Sequence, residues 1–403
     1  MSTWIPRSNR SERPAVPAFI PYGRQTITEA DIEAVVQVLR GPFLTQGPAV
    51  PSFEQAVAQR VQADHAVAVN SATSALHIAC LALDLGPGDR LWTTPITFVA
   101  SANCGRYCGA EVDFIDIDPA TGLISLHALE QKLEQAAREG RLPKVLVPVH
   151  LCGTSCAMEP IAALARQYGV AVVEDASHAI GGHYQGLPVG DCRHSDITVF
   201  SFHPVKIITT GEGGLATTND PQLAQRMADL RSHGITKEES RFERPAPGPW
   251  SYEQQELGFN YRMTDLQAAL GISQLQRLEL VVTERKRLLE QYRQLLTGLP
   301  LRLLEIPKDV SSALHLAVIR LEDPSRAHHR QVFQGLRAAG IGVQLHYSPV
   351  HLQPYYRRLG FQEGDFPEAE AYATNAISLP LYPGLSGPEQ QRVAAALASL
   401  MAA

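Results

Sequence analysis

Residues 170–180 read VAVVEDASHAI, and residues 197–206 read ITVFSFHPVK. Each stretch is a short apolar run that stops at a polar residue. In the first, Val170–Glu174 has the length and β-branched content of a buried strand, and it delivers Asp175 just past its carboxyl end. In the second, Ile197–Ser201 is again a buried strand, followed by a short loop that carries Lys206. A carboxylate and an amine at the ends of two such strands are the first sign of a site.

The same alternation extends outward from these two runs. Ala66–Val69, Arg90–Thr94, Val112–Ile115 and Lys144–Val149 read as strands. Thr73–Leu83, Phe98–Cys108 and Met158–Gln167 read as the helices between them. Short, nearly all-apolar strands alternating with helices predict an α/β fold, a mostly parallel sheet covered on both faces. The pattern changes after residue 235. Residues 236–249 are charged and proline-rich and read as a surface loop. Residues 264–296 carry apolar residues at helical spacing with no proline and read as one or two long helices. Beyond them, His315–Leu321 and Val343–His346 read as strands and Pro388–Met401 as a closing helix. The expected organisation is a loose arm over 1–20, a large domain over 21–263 and a smaller α+β domain over 264–403.

The chain has 403 residues, more than one core of usual size accommodates. A net charge of −6 and the lack of a basic run argue against a nucleic-acid partner. No apolar stretch has membrane-spanning length, and the first residues lack the apolar centre of a secretion signal, so the expected address is the cytoplasm. Cys104/Cys108 and Cys152/Cys156 share a C-x3-C spacing. That spacing is wider than a zinc knuckle, so all six cysteines are read as core thiols and no metal is expected.

Of six lysines, only Lys206 sits among apolar, small and hydroxyl residues. A desolvated lysine loses its proton easily and attacks carbonyls as a free amine; the plainer alternative is a lysine that merely snorkels from a loop. Asp175 is suited to hold a proton on a cofactor's pyridine nitrogen, and equally suited to cap the turn that follows it. His178 is either a partner for the ring's phenolic oxygen or a satisfied core histidine. The segment Asn70–Ala75, NSATSA, runs from a strand straight into a helix. Its small residues and free N–H groups suit a phosphate, and Ser201 offers a hydroxyl to the same place. No dinucleotide or nucleoside-triphosphate fingerprint occurs at either position.

Seven motifs in order make the chain similar to the DegT/DnrJ/EryC1/StrS family of sugar aminotransferases. They are NSATSAL (70–76), TPITFVA (94–100), EDASHA (174–179), FSFHPVK (200–206), GEGG (211–214), RSHG (231–234) and GFNYRM (258–263). The resemblance runs from about Tyr22 to the C-terminus. It implies the fold-type I architecture of pyridoxal 5'-phosphate (PLP) enzymes, with Lys206 as the Schiff-base lysine and proton carrier. It further implies Asp175 at the pyridine nitrogen, Phe98 stacked on the ring and His178 at the ring oxygen, with Ala72, Thr73 and Ser201 on the phosphate. Asn260 is implied to reach the phosphate of the neighbouring subunit in a homodimer. Within the family the likeness is greatest to enzymes that aminate C4 of UDP-linked 4-keto-6-deoxy-N-acetylhexosamines, as in pseudaminic acid synthesis, with glutamate as donor. On that likeness Tyr22, Pro42, Phe43, Leu44, Thr45, Gln344, Leu345, His346 and Tyr347 line the nucleotide-sugar pocket. The alternatives are a dTDP-linked keto sugar as substrate, a PLP-dependent dehydratase, or a non-catalytic nucleotide-binding protein. The arm and the stretch Arg244–Trp250 are extra to the family pattern.

Overall fold

The computed structural model describes residues 18–323 and 325–402. Most of the predicted arm therefore lies outside the described residues. Seven strands form the main sheet: β1 His65–Val69, β2 Arg90–Thr93, β3 Glu111–Phe114, β4 Val145–Val147, β5 Ala171–Asp175, β6 Ile197–Ser201 and β7 Gly214–Thr218. Their order is β1-β7-β6-β5-β4-β2-β3. All neighbours run parallel except at β7, which is antiparallel to both β1 and β6. Strands β4, β5 and β6 are almost entirely buried, as expected of a sheet covered on both faces.

The helices before, between and after these strands are α1 Glu29–Arg40, α2 Ala49–Val61, α3 Ala72–Ala82, α4 Ala100–Tyr107, α5 Leu126–Glu139, α6 Met158–Tyr168 and α7 Pro221–Arg231. The predicted helix over 264–296 is two, α8 Asp265–Leu275 and α9 Leu278–Leu295. α8 packs on α1 and α2, while α9 supplies Leu288, Leu289 and Tyr292 to a second apolar cluster. That cluster lies under a three-stranded sheet, β8 Leu301–Leu303, β9 Ala317–Leu321 and β10 Ala376–Leu379, in the order β8-β9-β10. Helices α10 Arg326–Ala338 and Gly387–Met401 cover it. Among the described residues no helix is long and apolar enough to cross a membrane. All six cysteines are buried and free.

Three sequence readings are corrected. The helix expected from Phe98 begins at Ala100. Residues 95–99 turn into the cleft first, and Asn103 N–H, on Val99 O at 2.8 Å, closes the first full helical bond. Val343–His346 is not a strand. Its backbone is divided between two partners, Gly342 N–H on Ile20 O and a single bridge from Gln344 to Ser378. Within the loop read over 236–249, Thr236 pairs with Glu253 in a short ladder and Glu239–Arg241 forms one helical turn.

Candidate active site

Because β1, β2, β4, β5 and β6 are parallel, their carboxyl ends meet at one edge of the sheet, where β7 begins. Lys206 lies just beyond β6, its backbone N–H on His203 O at 2.9 Å. The side chain is half-buried. Burial pushes its ammonium down to about 8, against the opposing pull of Asp175. A lysine so placed holds a substantial free-amine fraction near neutral pH.

Asp175 ends β5 and is buried. Its Oδ1 accepts the Ser177 N–H at 3.1 Å and its Oδ2 accepts the Ser101 hydroxyl at 2.6 Å. The first bond is the turn cap anticipated from sequence; the second was not anticipated. Ser101 sits in the first turn of α4 and is itself 2.6 Å from the Thr97 hydroxyl. Only its position one turn beyond Phe98 hints at this contact. The adjacent Glu174 accepts from His150 Nε2 at 2.6 Å, and His150 N–H donates to Asp175 O at 3.0 Å. The ends of β4 and β5 are thereby tied together behind the carboxylate.

At the anion end, Ser71 caps α3 through the Ser74 N–H at 3.1 Å. The N–H groups of Ala72 and Thr73, in the first turn, have no helical partner to take them. At Gly214 a Cβ would lie 2.3 Å from Ser71 C and 2.4 Å from Ala72 N, so only glycine lets β7 start this close to α3. Ser201, paired with Gly214 in the ladder, ends β6 beside it.

His178 is buried, with Nδ1 3.3 Å from Cys152 N and Nε2 3.1 Å from Tyr347 Oη. Burial pushes its imidazole well below the ordinary value, and Lys206 and His346 add to the effect. Phe98 is 58% exposed, and its ring centroid is 6.3 Å from that of Tyr347. His346 holds the Ser378 hydroxyl at 2.7 Å and lies 5.5 Å from the Tyr22 ring. Burial and then Lys206 push its imidazole down to about 3. Tyr22, His346, Tyr347, Phe98 and His178 are thus linked by direct contacts around Lys206 and Asp175. The remaining predicted residues are not brought to Lys206 by any contact within the chain. Pro42, Phe43, Leu44 and Thr45 are exposed, and Leu44 and Thr45 pair with the start of α8. Gln344 is exposed and Leu345 packs outward against the main core. Asn260 is exposed on a bridge to Ser232.

The chemistry of this donor set fits PLP. A depressed lysine suits an aldehyde, a buried carboxylate suits a pyridinium, and a helix start with hydroxyls suits a phosphate.

Comparison with known proteins agrees. The family model of the DegT/DnrJ/EryC1/StrS aminotransferase family matches residues 25–398. The spore coat polysaccharide biosynthesis protein SpsC of Bacillus subtilis is 37% identical over 388 residues, 95% of this chain and 97% of its own. Among solved structures, Helicobacter pylori PseC, an aminotransferase involved in the biosynthesis of pseudoaminic acid, superposes with a TM-score of 0.87 at 30% identity. The match covers 95% of this chain and 99% of PseC. Spr1654 of Streptococcus pneumoniae in its PLP form gives 0.86 at 30% identity, over 95% and 99% of the two chains. The chain belongs to the DegT/DnrJ/EryC1/StrS aminotransferase family and is a PLP-dependent sugar aminotransferase of the fold-type I architecture.

Proposed function

We propose that this enzyme moves an amino group from L-glutamate to C4 of a UDP-linked 4-keto-6-deoxy-N-acetylhexosamine. The observation that carries this reading is the likeness to PseC over nearly the whole of both chains. The motifs around Lys206, Asp175 and Gln344–Tyr347 support it. Bound in the cleft, PLP supplies an aldehyde that accepts the amino group and a ring that draws electrons from the reacting carbon. The protein's part is divided among named groups. Lys206 anchors the cofactor and, once displaced, carries a proton between the reacting carbon and the cofactor. Asp175 keeps the pyridine nitrogen protonated. Ala72 and Thr73 N–H and the Ser201 hydroxyl hold the phosphate, and Phe98 packs on the ring. Tyr22, Pro42–Thr45 and Gln344–Tyr347 line the nucleotide-sugar side. The working unit is a homodimer in which Asn260 reaches the phosphate of the partner's cofactor.

The test is a panel of UDP- and dTDP-linked 3-keto and 4-keto sugars, incubated with holoenzyme and glutamate and read by product mass. The expected result is a new amine on the UDP-linked 4-keto-N-acetylhexosamine, matched by 2-oxoglutarate. Amination of a dTDP-linked sugar alone rejects the assignment, and loss of a sugar oxygen without gain of nitrogen makes the enzyme a dehydratase. Lys206→Ala should lose turnover and the absorbance of bound cofactor together.

A further inference from the structure

The donors around His178 decide which of its nitrogens carries hydrogen. Nδ1 faces the backbone N–H of Cys152 at 3.3 Å. A backbone N–H can only donate, so Nδ1 keeps its lone pair and the neutral ring carries its hydrogen on Nε2. Neutrality follows from the surroundings, since burial, Lys206 and His346 all oppose protonation. His315, its ring 4.4 Å away, is pushed down in the same way. The donor cannot drift. Cys152 is held in the left-handed region at φ 61°, which costs energy for a residue with a side chain. At the next residue, Gly153, a Cβ would lie 2.8 Å from His178 O and 2.9 Å from Leu314 N. The turn is wedged between the histidine's own backbone and the segment before β9.

Nε2–H therefore donates to Tyr347 Oη, 3.1 Å away. As acceptor, the Tyr347 hydroxyl retains its own hydrogen for another partner, and among the described residues it makes no further hydrogen bond. Burial, with Cys152, Asp175 and Tyr22 in the same sense, pushes this phenol up, so it stays a hydroxyl at neutral pH. The ring lies nearly parallel to His178, at 23°, and faces Phe98. The row Cys152 N–H, His178, Tyr347 thus ends in a free phenolic hydrogen at the cleft.

We propose that Tyr347, rather than His178, donates the hydrogen bond to the phenolic oxygen of the cofactor, with His178 behind it as a positioning residue. The proposal rests on Lys206 and Asp175 marking the PLP cleft. A donor to that oxygen stabilises its anionic form and so lowers the proton affinity of the nitrogen that joins the cofactor to Lys206.

The test is a pH titration of the bound cofactor's absorbance in holoenzyme without substrate. Tyr347→Phe should raise the midpoint by about one pH unit, the scale of one lost charge-assisted hydrogen bond. His178→Ala should raise it less, because Tyr347 keeps its hydrogen but loses its orientation. If His178 were the direct donor, removing its competing acceptor would leave the midpoint unchanged or lower it, and either outcome overturns the proposal. A larger rise with His178→Ala than with Tyr347→Phe overturns it too. Borohydride reduction and peptide mapping separate the two levels. Label on Lys206 in all three proteins upholds the cleft assignment whatever the midpoints do, and no label there in the wild type rejects that assignment itself.

Discussion

Asp175 could be read from sequence as a turn cap or as the partner of a pyridine nitrogen, and its two oxygens make room for both. Oδ1 caps the turn through Ser177 N–H, and Oδ2 is steered by the Ser101 hydroxyl. Ser101→Ala removes one charge-assisted bond, so PLP should dissociate about tenfold more readily, measured by titrating the apoenzyme with cofactor. Unchanged affinity would mean that the Ser101 bond does not orient the carboxylate. Lys206 yields a second prediction. Its amine attacks an aldehyde only when unprotonated, and burial pushes it down to about 8 despite Asp175. The rate at which apoenzyme takes up PLP should therefore rise with pH through a midpoint near 8, followed by absorbance; a rate flat across that range contradicts the burial argument. Lys206 and Asp175 were legible because each sits alone, chemically, at the end of an apolar run. Ser101 and the Tyr347–His178 contact were not, because they join residues 74 and 169 positions apart. Nothing local marks such a pairing.

The elements that announce themselves by periodicity were found at nearly the right places, since a strand buried on both faces must be continuously apolar. What escaped was set by partners distant in the chain. The antiparallel β7 begins at the glycines of GEGG, and its direction is fixed by Ser201 and α3 rather than by its own residues. Helix α1 likewise depends on a distant partner. Its buried Asp31 accepts from Ser273 Oγ at 2.6 Å, Gln274 Nε2 at 2.8 Å and Arg277 Nη2 at 2.6 Å, latching α1 to α8 and the start of α9. Burial opposes this charge, but the bonds from Ser273 and Thr28 and the Arg277 guanidinium overrule it, so the carboxyl is held below its ordinary value. A carboxyl lowered on folding stabilises the fold above its unfolded value and loses that contribution as pH falls through its folded value. Asp31→Asn should therefore cost about 3 kcal/mol at pH 7 and flatten the loss of stability below about pH 4, measured by urea unfolding at several pH values. Equal acid sensitivity in both proteins would remove Asp31 as the titrating latch.

At the scale of the whole molecule, the sheet, the cleft and the carboxyl-edge placement of the site followed from alternation alone, but what completes the site did not. Pro42–Thr45 and Asn260 are exposed, together with Trp250, Tyr252 and Leu257, and no contact within the chain carries them to Lys206. A single chain's sequence records which residues are polar or apolar, not which copy they serve. If Asn260 serves its own subunit, Asn260→Ala impairs every site that subunit owns. If it serves the partner, the damage is transferred across the dimer, and mixing reveals it. Consider a hybrid of one Lys206→Ala subunit and one Asn260→Ala subunit. With Asn260 acting across the interface, one site combines both defects while the other has an intact Lys206 from one chain and an intact Asn260 from its partner. Random reassortment makes half the dimers hybrids with one restored site each, so activity should return to about a quarter of wild type. With Asn260 acting within its own chain, no arrangement restores a site. Mixing the two inactive preparations, allowing subunits to exchange and assaying amine formation distinguishes the cases, and activity no higher than the sum of the separate variants rules out the crossed site.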